Sequence, residues 1–211
     1  MHGFFEIFLK SPMMMLNAIV SVFAVAIILE RLYVLMFRYS TDGRSFMQNV
    51  ERHVLANDIT QAINFSNTSS APLATVVKSG LVKANRGGMA VSMGVDEALL
   101  QVTPLVEKRI GSLWAIANVA TLIGLIGTIL GIMTTFTSLA EASAEARAKL
   151  MGIGIAEALY NTAFGLIIAV LCIVAHLFLS GLAKKIIGDL DYYSSRLENL
   201  LTLRHDADKA A

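Results

Sequence analysis

The sequence predicts an all-α membrane protein: three transmembrane helices with long cytoplasmic helical extensions. Hydrophobic residues make up 55% of the 211 positions and charged residues only 16%. The mean hydropathy is +0.65, far from the soluble average. The charges also leave three gaps. None of Asp, Glu, Lys or Arg occurs in 11–29 or 110–140, and 150–183 holds only one, Glu157. Each gap reaches the roughly 20 residues that cross a hydrocarbon core of about 30 Å. The expected organisation is a transmembrane helix at 11–37, a cytoplasmic helical loop at 38–110, a second transmembrane helix at 111–140, an external turn at 141–149, a third transmembrane helix at 150–182 and a cytoplasmic amphipathic tail at 183–211.

Lys and Arg outside the membrane set the orientation. The loop carries eight (Arg38, Arg44, Arg52, Lys78, Lys83, Arg86, Lys108, Arg109) and the tail five, against Lys10 before the first run and two in the 141–149 turn. The loop and carboxyl terminus belong in the cytoplasm, the amino terminus and the turn outside. The first run admits a rival reading as a cleaved signal peptide, with Ala24-Val25-Ala26 as a small-residue cleavage site. Against it, the leading segment sets Glu6 beside its one basic residue. The apolar pattern also runs past Ala26 into Glu30-Arg31-Leu32-Tyr33, a charged helix end with an aromatic anchor.

The loop is too small for an enzyme domain with its own large core, and its pattern is helical. Phe46, Val50 and Val54 repeat at spacing four, Asp58 caps a helix over 59–65, and Ala71-Pro72 opens a segment that stops at Gly87-Gly88. From Asp96 onward only Pro104 interrupts, so the second transmembrane helix is expected to extend as a continuous or Pro-kinked rod. In the tail, Ile186, Leu190, Tyr193, Leu197 and Leu200 alternate spacings of four and three, a coiled-coil-like seam. It packs either on this chain's own loop helices or on neighbouring copies. The sequons at Asn64 and Asn67 fall in the cytoplasmic loop and receive no role.

In the second apolar run Thr121, Gly124, Thr128, Gly131 and Thr135 share one stripe. For Gly124, Gly127 and Gly131 close helix packing is the favoured reading; for the threonines a hydrated, ion-lining surface competes with it. In the third run Gly152, Gly154 and Ala156 leave room for another helix, and Asn161 and Thr162 lie one turn beyond Glu157. A carboxylate inside such a run costs about 2.5–3.5 kcal/mol on insertion scales and usually faces a protein interior, a water-filled cavity or an ion path. No Lys or Arg within the second or third run neutralises it. Two readings of Glu157 stay open: an ion-binding group, or a protonated acid acting as glue at a helix contact.

His176 lies nineteen residues beyond Glu157, about 28 Å along a helix, and reads as a satisfied interfacial histidine ahead of a relay partner. Cys172 is the only cysteine and forms no intrachain disulfide. The glycines of the second run lack a following Lys, Gly152-Ile153-Gly154 lacks a third glycine and a preceding strand, and no His/Cys/carboxylate spacing suggests a metal. The expectation is therefore no enzyme, no cofactor and no nucleic acid, with energy from an ion gradient or a partner.

These residues carry a resemblance. Gly124-Leu125-Ile126-Gly127-Thr128-Ile129-Leu130-Gly131-Ile132-Met133 with Phe136, then Gly154-Ile155-Ala156-Glu157-Ala158-Leu159 with Thr162-Ala163-Phe164-Gly165-Leu166, resembles the paired signatures of the MotA/TolQ/ExbB proton-channel family. Glu30-Arg31, Ala71-Pro72-Leu73 and the three-helix plan are similar to its TolQ/ExbB branch. The resemblance implies a homopentamer in the lipids of a bacterial inner membrane, with a periplasmic amino terminus and 141–149 turn. It further implies a dimer of a single-span TolR/ExbD/MotB-like partner with an intramembrane Asp, driven by H+ or Na+. By motif position Thr128, Glu157 and Thr162 would line the ion path, with Thr121 and Asn161 as added polar groups. Gly124, Gly127, Gly131, Gly154, Gly165 and Ala163 would serve helix packing. The chain departs from the family in having Ala120-Thr121-Leu122-Ile123 where a proline is common, and Tyr160-Asn161 where small or aliphatic residues are usual. The expected function is an ion-channel or stator subunit of a rotary motor that does work in the periplasm or outer envelope. A structural membrane scaffold recruiting cytoplasmic partners without ion flux is the alternative.

Overall fold

A computed structural model describes residues 11–39 and 42–210, with side chains to 204. Glu6 and Lys10, which entered the sequence readings, lie outside the described residues. Every regular element among the described residues is helical: α1 (Pro12–Tyr33) with a π-helical turn (Val34–Arg38), α2 (Gly43–Leu55), α3 (Ile59–Ser66), α4 (Pro72–Val82), a 3-10 turn (Ala84–Arg86), α5 (Gly88–Glu107), α6 (Ile110–Glu141) and α7 (Ala144–Ala210). Among the described residues three stretches are long and apolar enough to cross a membrane: Pro12–Arg38, Gly88–Glu141 and Ala144–Arg204. The chain forms two compact units, one of Met1–Glu30 with Arg109–Phe178, the other of Arg31–Lys108 with Leu179–Ala211.

The second unit is a small helical domain whose element starts are written in the sequence. Asp42 caps α2 by accepting from the Arg44 and Ser45 N–H groups, and Asp58 caps α3 by accepting from Gln61 N–H at 2.9 Å; such caps are each worth about 1 kcal/mol. Pro72 occupies the first turn of α4, where its missing N–H costs nothing. The core includes Met47, Val50, Val54, Val76, Val77 and Val95. Gly80 and Gly94 let α4 and α5 close on each other: a Cβ on Gly80 would lie 3.0 Å from Val95 Cγ2, and Ser79 Oγ donates to Gly94 O at 2.8 Å. Gly87 turns the chain at φ 96°, a backbone conformation suited to glycine.

The tail seam packs on this unit's own helices, with a shifted register. Leu190, Ser194, Leu197 and Leu201 are buried, while Ile186, Tyr193 and Leu200 are half-buried. A Cβ on Gly80 would meet Leu197 Cδ2 at 2.9 Å, so the seam closes the α4/α5 hairpin. A two-ended ion pair between Arg196 and Glu51 adds a contact to α2.

The expected continuous or Pro-kinked rod is corrected by the structure. Pro104 lies inside α5, which persists to Glu107. The break comes four residues later: Lys108 is extended and Arg109 takes φ 61°, ψ −4° before α6 begins. A non-glycine residue in the left-handed region costs about 1–2 kcal/mol, and Arg109 forms an ion pair with Glu30 of α1. The turn between α6 and α7 is also shorter than the charged stretch suggested, reducing to Ala142 and Ser143.

Leu197→Ala removes a fully buried side chain and is expected to destabilise the second unit by about 2–5 kcal/mol, seen as a lower thermal midpoint and faster proteolysis of the loop helices. Glu198 supplies a pH test. Burial raises its carboxyl above the ordinary glutamate range, the charge of Asp96 raises it further, and a hydrogen bond from Ser92 opposes them. The folded state therefore binds this proton more tightly than the unfolded chain, so stability falls as pH rises through and just above that range. Glu198→Gln is expected to be more stable than the parent at neutral pH, with the advantage vanishing below about pH 4.

Candidate functional site

The first unit brings most of α1, all of α6 and the first half of α7 together. Its apolar interior at one end is built on Ala24, Ala117, Ala120, Ile168, Ala169 and Cys172, with Val20, Ile116, Phe164 and Ile173 against it. Between lipid-facing helices no hydrophobic force favours association, so packing and hydrogen bonds carry it. Small residues supply the packing. A Cβ on Gly124 would lie 3.2 Å from Thr162 Cα and 3.4 Å from Gly165 Cα, and one on Gly131 would lie 3.0 Å from Ala158 Cβ. Gly165 sits under Ala120 O, Gly127 under the Asn161 side chain and Gly154 under Thr135, whereas Gly152 has nothing within 4 Å.

This approach joins Thr128 and Thr162. Their hydroxyls are hydrogen-bonded to each other. Thr162 Oγ1 also reaches Gly124 O at 3.1 Å, and Thr128 Oγ1 reaches Gly124 O at 3.2 Å and Ala158 O at 3.3 Å. Two protons serve more acceptors than they can satisfy at once, so the pair has interchangeable hydrogen-bond arrangements.

Glu157 is half-buried and lines a hollow of about 280 Å³ with Ser11, Met13, Gly127, Thr134, Thr135 and Asn161. Among the described residues its carboxylate has no hydrogen bond or ion pair. Asn161 is 3% exposed; its Oδ1 accepts from Ser11 Oγ at 2.9 Å and its Nδ2 donates to Glu157 O at 3.3 Å. Thr121 stands apart from this hollow, donating to Ala117 O of its own helix at 3.0 Å. At the other end of the unit His176 Nδ1 donates to Ile110 O at 3.0 Å, and its ring centroid lies 6.2 Å from that of Trp114.

Sequence reasoning missed two residues, one in α1 and one immediately before it. Asn17 is 1% exposed, donates from Nδ2 to Ala120 O at 3.2 Å, and its Oδ1 has no partner among the described residues. Ser11 is the other. The available signal was a serine and an amide in an otherwise apolar run, the kind of residue that faces a helix contact in a membrane.

The profile of the MotA/TolQ/ExbB proton channel family matches residues 68–191, more than half of the chain. The chain belongs to that family. Curated members similar to it include the biopolymer transport protein ExbB-like 3 of Synechocystis sp., 30% identical over 153 residues, which are 71% of each chain. The Tol-Pal system protein TolQ of Haemophilus influenzae is 36% identical over 99 residues, 47% of this chain and 42% of that protein. Both names fall in the TolQ/ExbB branch of the family. As a member of this family with three helices able to cross a bilayer, the chain is a membrane protein of the proton-channel class, linked to the proton motive force.

Gly165→Val is expected to force α6 and α7 apart, because a side chain there meets the Ala120 carbonyl and the Gly124 backbone, neither of which can swing away. Overpacking of this kind costs about 1–3 kcal/mol or more. Trp114, the only tryptophan, reports the loss as a lower midpoint in thermal unfolding followed by fluorescence. Gly152→Ala, which meets no neighbour, should leave the midpoint unchanged.

Proposed function

We propose that this chain is the ion-channel, or stator, subunit of a rotary motor driven by the proton motive force. In this reading five copies surround the transmembrane helices of a dimer of a TolR/ExbD/MotB-like single-span partner, whose intramembrane aspartate faces Glu157, Thr128 and Thr162. The complex lies in the inner membrane, with the amino terminus and the α6/α7 turn periplasmic and residues 38–110 and 183–211 cytoplasmic, as the Lys and Arg distribution favours. The coupling ion is H+ or Na+, and the partner carries the work to the periplasm or outer envelope.

The observation that carries this reading is Glu157. It is the only formal charge in 150–183, it borders a hollow, and among the described residues no cation faces it. A structural ion pair would offset the cost of placing a carboxylate there; a group that takes up and releases an ion needs a vacant coordination side and polar neighbours instead. The Thr128–Thr162 pair, one helical turn further along α7, continues the polar surface. Thr121 lies two turns beyond Thr128 on the same stripe and Asn161 orders the floor of the hollow, so we assign both supporting roles.

The test is ion flux through the complex co-purified with its partner and reconstituted in liposomes. Glu157→Gln keeps shape and hydrogen bonding but cannot ionise, so flux should vanish with the assembly intact. Thr128→Val and Thr162→Val should each reduce flux at least tenfold, because each removes a hydroxyl at nearly constant volume. A Glu157→Gln complex that conducts normally would make Glu157 packing glue and move the protein to the scaffold class.

A further inference from the structure

A second hollow, of about 220 Å³, lies within the second unit, where the π-helical turn after α1 meets α2, α4 and α7. Leu35, Leu73, Leu182, Ile186 and Leu190 form its apolar wall, and Lys185 and Asp189 also line it. An apolar cavity of about 150 Å³ takes up benzene, so this one has room for a headgroup or a few methylenes and not for a whole lipid.

Its place along the chain puts it at the surface of the bilayer. Apart from Glu157, the charge-free stretch of α7 runs to Ala183, one residue past Leu182. On the α1 side Tyr33 and Phe37 are exposed with ring centroids 5.7 Å apart, an aromatic pair of the kind that sits at headgroup level. Lys185 and Asp189 follow Ala183 on the same helix, about 3 Å and about 9 Å further along its axis. The headgroup layer on each side of a bilayer is about 5–8 Å deep, so the two charges span it.

Lys185 and Asp189 are exposed and stand one turn apart with opposite charges, yet among the described residues neither has a hydrogen bond or an ion pair. Lys ahead of an acid by four positions is the less favoured order for pairing within a helix, which leaves both charges to a ligand. Along α7 the order is apolar, positive, negative. A phospholipid with an amine in its headgroup presents the complement from the bilayer outward: acyl chain, phosphate, ammonium. A phosphatidylglycerol headgroup would satisfy Lys185 but offers Asp189 no cation, and the quaternary amine of phosphatidylcholine has no N–H to donate to it. We propose that this hollow binds the headgroup of a phosphatidylethanolamine-type lipid, its phosphate on Lys185, its ammonium on Asp189 and its first carbons against Leu182 and Ile186. The proposal is independent of the reading of Glu157, since every lining residue belongs to the second unit.

The experiment takes the full chain, stripped of lipid in detergent, and follows lipid binding by native mass spectrometry as phosphatidylethanolamine, phosphatidylglycerol or phosphatidylcholine of one acyl composition is added. One phosphatidylethanolamine per chain is expected to bind about fivefold more tightly than either of the others. Asp189→Lys should turn the preference over to phosphatidylglycerol. Lys185→Asp combined with Asp189→Lys keeps the net charge but inverts its order, and should remove the preference for phosphatidylethanolamine. Both positions are exposed, so these variants should fold, and an unchanged thermal midpoint checks that they do. Soluble phosphoethanolamine, which has the charges without the chains, should not displace the lipid at equal concentration. Equal binding of the three lipids, as a nonspecific lipid shell would give, would overturn the proposal. So would a preference unmoved by Asp189→Lys, or displacement by phosphoethanolamine alone.

Discussion

The close approach of α6 and α7 is the constraint on which the rest of the first unit depends. Lipid tails are as apolar as the leucines and isoleucines on the outer faces of these helices, so hydrophobic burial does not hold them together. Contact distance does. Gly124 and Gly131 on α6 meet Gly165 and Ala158 on α7 with no side chain between backbones. Only at that separation can Thr128 and Thr162 touch, and only then can the Gly124 carbonyl serve both hydroxyls. Dispersion along the contact and the threonine bonds reinforce each other.

The same geometry accounts for where the polar chemistry lies. Packing on the glycine side leaves a gap beside Glu157, because Gly127 and Gly131 contribute no side chain to that wall of the hollow. Next to it the interior turns dry, with Ala117, Ala120, Ile168 and Cys172 forming a close apolar cluster. Asn17 stands near that boundary, holding α1 to the Ala120 carbonyl. The polar groups thus run from the hollow through the threonine pair to Asn17 and stop.

Much of this was legible from residue types alone. The three charge gaps located the membrane-capable helices, Asp58 marked the start of α3, and the spacing of Phe46, Val50 and Val54 marked the buried face of α2, whereas the Asp42 cap came only with the structure. The stripe from Gly124 to Thr135 pointed to one helix contact, because spacing of three and four fixes a face regardless of tertiary context; Gly154 joins that contact, whereas Gly152, read the same way, meets no neighbour. What sequence did not disclose depends on the third dimension. Pro104 advertised a break, yet α5 absorbs it and the chain turns at Lys108 and Arg109, where Arg109 pairs with Glu30. The tail seam shifted to Ser194 and Leu201 because its partners are the α4/α5 hairpin rather than a regular coiled coil. Ser11 and Asn161 are 150 positions apart, and no local pattern joins them.

The central claim is that Glu157 takes up and releases the coupling ion, and infrared difference spectroscopy of the partner-bound complex under an imposed, reversible ion gradient tests it most directly. The expected result is a protonated-carboxyl C=O band that rises and falls with a proton gradient, or a carboxylate band that shifts with a sodium gradient, either of them missing in Glu157→Gln. A carboxyl band that stays constant when the gradient reverses, in a complex that is conducting, would contradict it.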